Sequence, residues 1–278
     1  MKPALVAIGL FFLVSCTKND KPASAETILN VSYGTGSKKT LDLYLPANRT
    51  SLNTKVLILI HGGGWVSGDK ADFNAMIPML QFQNPDMAIA NINYTLFDGT
   101  PATKFPACYN DVVEAYNYLL EHSDHYKYAK NFALLGTSAG GHLALLYTYK
   151  SEVPKKPTAV VSFFGPTDMA DLYNQSNADL QKAIALFIGA TPSSNLTAYQ
   201  QASPIAAANI SSSPTMLIHG SLDTVVNVSQ AVKLKDWLTQ VKVPVTYVNY
   251  PTEGHGLNSN NLLDALTKMN TFFSTYFR

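Results

Sequence analysis

Short apolar runs recur along the chain, each followed by a longer stretch of helical spacing. ILNVSY (28–33) and TLDLYL (40–45) lead, and the second alternates apolar and polar side chains as a half-exposed strand does. VLILI (56–60) is apolar throughout, the pattern of a strand buried on both faces. AIANINY (88–94), FALLG (132–136), AVVSFF (159–164), TMLIHG (215–220) and VTYVNY (245–250) follow. Helical periodicity runs over 106–121, 139–149, 179–188, 228–240 and 261–276; in the first, Asp111, Glu114, Asn117 and Glu121 interleave with Val112, Ala115, Leu119 and Leu120. Two leading strands and then repeated β–α units predict an α/β fold, a mostly parallel eight-stranded sheet with helices on both faces. Segment 165–213, rich in proline, serine and asparagine, is the least regular and is expected to form a loop-rich excursion at one end of the sheet. No repeat or linker divides 27–278, which reads as one domain.

Composition narrows the chemistry. The 278 residues are 46% hydrophobic and 11% aromatic, enough to bury a large core. Only 14% are charged, against roughly 25% in an average soluble domain. The formal net charge is +1 with no block of Lys or Arg, which excludes electrostatic binding of nucleic acid as the main activity. No His/Cys cluster has metal-ligand spacing, so neither a metal nor another cofactor is expected. Cys108 lies in a helical apolar pattern and reads as a small buried side chain.

The N-terminal stretch MKPALVAIGLFFLVSC stands apart from this pattern. Its apolar run, Ala4 to Val14, is shorter than the about 20 residues that span a bilayer, so it reads as an export signal. Leu13-Val14-Ser15-Cys16 resembles the lipobox of bacterial lipoproteins. That resemblance implies cleavage after residue 15, acylation of Cys16 and a membrane anchor without a transmembrane helix. Residues 16–26 then read as a polar tether and 27–278 as the folded domain. Thr17 in place of aspartate after the cysteine resembles lipoproteins sorted to the outer membrane, on its periplasmic or its surface face.

Ligands of open α/β sheets bind beyond the carboxyl ends of the strands, where the chemistry-bearing residues of this chain cluster. FALLG runs into Gly136-Thr137-Ser138-Ala139-Gly140, a G-x-S-x-G between strand and helix that would expose a nucleophilic serine. VLILI runs into His61-Gly62-Gly63-Gly64-Trp65, whose glycines let backbone N–H groups turn towards a developing oxyanion. A phosphate-binding loop is the competing reading of such glycines, but neither a Lys-Ser/Thr pair nor G-x-G-x-x-G is present. Asp223 follows TMLIHG and His255 follows VTYVNY, giving the chain order nucleophile, acid, base. His142, one helical turn beyond Ser138, is expected beneath the site rather than as the base. Asp168 and Glu253 compete with Asp223 for the acid; Glu253 is only two residues from His255, an awkward reach to its Nδ1. His61 is expected to brace the glycine loop, His219 to be structural, and His122 and His125 to be solvated.

These motifs resemble the α/β-hydrolase superfamily, and within it the HGGGW esterases that include the bifunctional feruloyl and acetyl-xylan esterases and border the hormone-sensitive lipase family. The resemblance covers about residues 31–275. It includes LDLYLP (41–46), Ser67-Gly68-Asp69-Lys70, Asn93-Tyr94, Phe105-Pro106-Ala107 with Asp111, Phe164-Gly165-Pro166-Thr167-Asp168 and His219-Gly220-Ser221-Leu222-Asp223. It implies an α/β-hydrolase fold, here without a large cap domain, and a Ser138–His255–Asp223 triad. It also implies an oxyanion hole at Gly63, Gly64 and Ala139, pocket positions at Trp65 and Asp168, and a small ester or acylated carbohydrate as substrate. Thr95 stands where the family commonly has arginine, removing a charge that would brace the loop. Aryl-formamide hydrolysis, a dipeptidyl-peptidase-like activity and a non-catalytic binding role on the same scaffold are the alternatives. Oligomeric state is not legible.

Overall fold

The computed structural model describes residues 22–150 and 155–278. The expected signal and the lipidation site at Cys16 lie outside the described residues. Eight strands, β1 (Glu26–Ser32), β2 (Thr40–Leu45), β3 (Val56–Ile60), β4 (Ala88–Ile92), β5 (Phe132–Thr137), β6 (Ala159–Phe163), β7 (Thr215–Gly220) and β8 (Val245–Tyr250), form one sheet. Their order is β1-β2-β4-β3-β5-β6-β7-β8. The β1/β2 and β2/β4 pairs are antiparallel and all others parallel.

Alternation along the central strands feeds two cores. Val56, Ile58 and Ile60 face one, with Leu134, Val160 and Leu217 from neighbouring strands. Helices α2 (Ala107–Glu121), α4 (Ala139–Tyr149) and α9 (Ser229–Gln240) cover that face, supplying Val112, Leu143 and Leu234, and a single turn, α3 (Ser123–Tyr126), follows α2. Leu57 and Leu59 face the other, with Leu135, Val161 and Ile218. There α1 (Ile77–Gln83) and α10 (Ser259–Tyr276) close the layer through Ile77, Leu80, Leu266, Met269 and Phe273. Burial on both faces explains why β3 to β7 lack an alternating polar pattern. No helix among the described residues is long and apolar enough to cross a membrane.

Two expectations need correction. Segment 165–213 is mainly helical, containing α5 (Met169–Gln175), α6 (Ala178–Ile188), α7 (Leu196–Gln201) and α8 (Pro204–Ala207). Its Asp168, Asn177 and Asn195 are helix N-caps, each accepting a backbone N–H of its own first turn, so the polar residues that look like loop composition start short helices. Strand β2 is not half-exposed, because Asp42 on its polar face is buried against Lys70, with Nζ 2.6 Å from Oδ1. Residues just before β1 already meet the domain: Asn48 N–H donates to Ala23 O at 2.7 Å, Arg49 bonds Ser24 O, and Glu26 opens the strand.

The Lys70–Asp42 pair yields a stability prediction. Asp42→Ala leaves a buried ammonium with only the Asn30 Oδ1 acceptor and no countercharge, and should cost about 3 kcal/mol, read as a lowered urea midpoint at unchanged m-value.

Candidate active site

Strand register sets the site. Ile60 pairs with Gly136, and Thr137 with Phe163, so the carboxyl ends of β3, β5 and β6 lie level. Ser138 sits on the turn from β5 into α4 with φ 51° and ψ −119°, outside the comfortable regions for a residue with a side chain. Its N–H donates to Phe163 O at 2.8 Å, and its C=O accepts His142 N–H at 3.0 Å, which fixes the strained turn. A Cβ on Gly136 would fall 2.2 Å from Gly140 O, and one on Gly140 would fall 2.0 Å from Ile60 O. The two glycines are therefore required by contact, since the first turn of α4 lies directly on the ends of β3 and β5.

His255 bridges the other two candidates. Its Nε2 is 2.9 Å from Ser138 Oγ and its Nδ1 is 2.7 Å from Asp223 Oδ2. A carboxylate only accepts, so Nδ1 carries the proton and Nε2 is left to accept from the serine hydroxyl. Burial would raise the Asp223 carboxyl, but three sets of donors outweigh it and hold the group well below the usual carboxylate range. Oδ1 accepts the N–H groups of Val225 and Val226, each at 2.9 Å, while Oδ2 faces His255 and, at 3.2 Å, His219 Nε2. Asp168 and Glu253 lie in other networks. Asp168 Oδ1 caps α5 through Ala170 N–H at 3.1 Å and Asp171 N–H at 3.0 Å. The Glu253 carboxylate accepts from Asn258 and Asn261. Sequence reasoning missed Phe164, whose ring lies 4.9 Å from the His255 ring. Its place directly after β6 is the signal that could have found it.

The glycine loop is built for exposed N–H groups. Gly63 and Gly64 have φ of 108° and 60°, and a Cβ on Gly63 would lie 2.1 Å from Ser67 O. Gly63 O is held in the turn by the N–H groups of Val66 at 3.1 Å and Ser67 at 3.0 Å. The N–H groups of Gly63, Gly64 and Ala139 meet no acceptor among the described residues. His61 braces the loop: Nδ1 donates to Gly62 O at 2.7 Å, the ring stacks on Tyr94, and Tyr94 Oη donates back to His61 O at 2.9 Å. Ser67-Gly68-Asp69-Lys70 clamps the loop to the sheet. Asn93 Nδ2 donates to Asp69 Oδ2 at 2.9 Å, Lys70 N–H to Asn93 Oδ1 at 2.7 Å, and Asn91 Nδ2 to Lys70 O at 2.6 Å. Thr95 N–H donates to Asp111 Oδ2 at 2.7 Å, and Lys39 Nζ lies 3.1 Å from Oδ1. A cation thus meets Asp111 from another element although Thr95 carries none.

Trp65 is buried, 5% exposed, rather than open to the site. Its indole stacks on Phe187 of α6 at 4.8 Å and donates from Nε1 to His142 Nδ1 at 3.2 Å. His142 Nε2 is 2.6 Å from Ala202 O. Accepting at Nδ1 and donating at Nε2, His142 is a neutral strut between the glycine loop and the helical excursion. Burial pulls its pKa down to about 4, against a smaller opposing pull from the Ala202 carbonyl. His125 is exposed as expected, but His122 is half-buried and stacks on Tyr118 at 3.9 Å. Burial pushes the Cys108 thiol up to about 12, so it is unreactive.

The sheet order and a serine elbow flanked by strand-end acid and base define an α/β-hydrolase. Residues 41–238 match the BD-FAE family, and the chain belongs to it. It is similar to the esterase LipC of Mycobacterium tuberculosis, 28% identical over 82% of the chain. The chain spans 59% of the length of LipC. A bifunctional GH43-CE protein of Bacteroides eggerthii is 26% identical over 90% of the chain and 38% of its own, with a TM-score of 0.76. A truncated carbohydrate esterase from gut microbiota shares the fold with a TM-score of 0.76, at 24% identity over 90% of this chain and 100% of its own.

His142 is expected to make stability depend on pH. Its native pKa of about 4 lies below the unfolded value of about 6.5, so the unfolded chain binds more protons between these limits. Stability should therefore fall as pH drops from about 6.5 towards about 4, by an amount on the order of 3 kcal/mol for this group. Urea unfolding across this window should show a shallower slope in His142→Asn.

Proposed function

We propose that the chain is a serine carboxylic ester hydrolase that removes short acyl or aryl-acyl groups, acetyl or feruloyl, from plant polysaccharide fragments such as xylan. The observation that carries the reading is the unbroken chain of contacts from Ser138 Oγ through His255 to Asp223, at 2.9 and 2.7 Å. Family membership supports ester chemistry, and the similarity to carbohydrate esterases supports an acylated sugar as substrate.

The steps follow from the geometry. His255 Nε2 takes the Ser138 hydroxyl proton as Oγ attacks the ester carbonyl, and Asp223 stabilises the imidazolium. The carbonyl oxygen becomes an oxyanion held by the N–H groups of Gly63, Gly64 and Ala139, an effect of about 3–4 kcal/mol for one donor. The imidazolium returns its proton to the leaving alcohol, giving an acyl-Ser138 ester. Water then attacks this ester, with His255 Nε2 as base, and releases the carboxylic acid and free Ser138. Trp65 acts in this scheme through the loop it anchors rather than by touching the substrate.

The export signal and Cys16 support a second part of the reading: the mature chain is acylated at Cys16 and held at the bacterial outer membrane, where polysaccharide fragments pass. Cys16→Ser should move the protein from the membrane to the soluble fraction; persistence in the membrane fraction contradicts an anchor there.

Two assays test the catalytic reading. Ser138→Ala should abolish p-nitrophenyl acetate hydrolysis with an unchanged circular dichroism spectrum, and Asp223→Asn should lower kcat by about 10⁴. Unaltered turnover in Ser138→Ala removes the nucleophile assignment. A panel of acetylated xylan, feruloyl esters, aryl formamides and p-nitrophenyl esters of rising chain length should show highest kcat/KM on the acetyl and feruloyl substrates. Preference for long acyl chains contradicts the substrate class, and preference for formamides favours the amide-cleaving alternative.

A further inference from the structure

A second histidine meets the triad acid, and the hydrolytic steps leave it without a task. His219 occupies the penultimate position of β7 and is buried. Its Nε2 lies 2.8 Å from Val226 O and 3.2 Å from Asp223 Oδ2. Both are acceptors without a hydrogen to give, so the proton of His219 must sit on Nε2, split between them. The same Oδ2 accepts from His255 Nδ1 at 2.7 Å. One carboxylate oxygen thus stands between two imidazole N–H groups with different freedom. His255 stands in a loop with part of its ring open to solvent and exchanges protons with Ser138, whereas His219 is locked in the end of a central strand.

We propose that His219 is a positioning residue of the proton relay, a permanent donor that holds Asp223 Oδ2 in line with His255 and limits how strongly that oxygen draws the His255 proton. Val225 and Val226 N–H groups fix Oδ1, so the His219 donor completes a carboxylate that cannot rotate. Each hydrogen bond to Oδ2 withdraws negative charge from it, and a less negative Oδ2 stabilises the His255 imidazolium less. Loss of the His219 donor would therefore leave Oδ2 a stronger partner for the His255 N–H.

The ionisable groups near this relay do not duplicate the effect. Glu253 on the β8–α10 loop is turned to Asn258 and Asn261. Tyr250 at the end of β8 donates to Asp264 of α10 at 2.7 Å, and Lys268 closes that pair from the same helix. From β5 and α4 the group facing His255 is the Ser138 hydroxyl, and from β6 it is the Phe164 ring, which carries no charge.

The inference rests on the catalytic reading of Ser138, His255 and Asp223, so its test separates the two. His219→Phe keeps a flat ring without a donor, and His219→Gln restores an amide N–H at a similar reach. The readouts are the pH dependence of kcat/KM on p-nitrophenyl acetate and the pH midpoint of the His255 ring resonances by NMR. In His219→Phe both midpoints should move up by about half a pH unit, so that one unit below the wild-type midpoint the relative rate falls about threefold. In His219→Gln both should return towards wild type. A fall in kcat with unmoved midpoints in His219→Phe overturns the inference and leaves His219 a packing residue. Loss of the catalytic reading shows itself separately, as hydrolysis that survives Ser138→Ala. Should both variants fail to fold, nitrogen-15 NMR of the wild-type protein decides. A bare Nδ1 and a protonated Nε2 on His219, with the Nε2 proton shifting as His255 titrates, support the inference. The opposite tautomer, or an Nε2 proton indifferent to His255, overturns it.

Discussion

The first turn of α4 lies against the carboxyl ends of β3 and β5 with no side chain between them, and the site depends on that approach. Ile60 O, the Gly140 backbone and the Gly136 Cα occupy space that a single methyl group would contest. The approach holds Ser138 at φ 51°, places Ala139 N–H at the helix start and brings Gly62 beside the serine, where a Cβ would lie 3.3 Å from that of Ser138. Parallel strands make it possible, because their level ends let residues far apart in sequence meet without long loops. Register, rather than local propensity, brings His61 and Ser138 together.

Around that contact the polar groups are arranged as clamps. Lys70 reaches back to Asp42 and anchors the glycine loop to β2, while Asn91 and Asn93 hold its backbone from β4. On the other side, the Glu253 carboxylate accepts from Asn258 and Asn261 at the start of α10, which stiffens the loop carrying His255. Residues that do not touch Ser138 thus hold both the glycine loop and the His255 loop. Preorganised donors aimed at developing charge contribute the most when they need not move during the reaction.

Much of this was legible in the chain. Continuous apolar runs gave the strands because burial on both faces leaves one composition, and glycines at strand ends marked the sites of close backbone approach. The features that escaped depended on pairings between distant residues. Asp42 in TLDLYL has the pattern of a solvent-facing residue, and only the fold supplies Lys70 to bury it. The asparagines of 165–213 have loop composition but serve as N-caps, because a cap differs from a turn residue only in the helix that begins after it. His142 was legible as unsuited to be the base from its position on the same helix as the serine, but its partners, Trp65 and Ala202, are 77 and 60 residues away. His219 and Val226 are seven residues apart, yet nothing in HGSLDTVV says that the ring turns back on Asp223.

The His142 strut has a consequence for how the protein ages under heat. It joins the glycine loop to the carbonyl that ends α7, so that loop borrows its rigidity from an excursion made of short helices. Short peripheral helices open at a lower free energy than a central parallel sheet. Such an opening would free Trp65 from Phe187 and His142. On warming, such an opening would loosen the loop around Trp65 while the central strands keep their pairing, so the geometry around Ser138 has a lower thermal limit than the sheet that carries it.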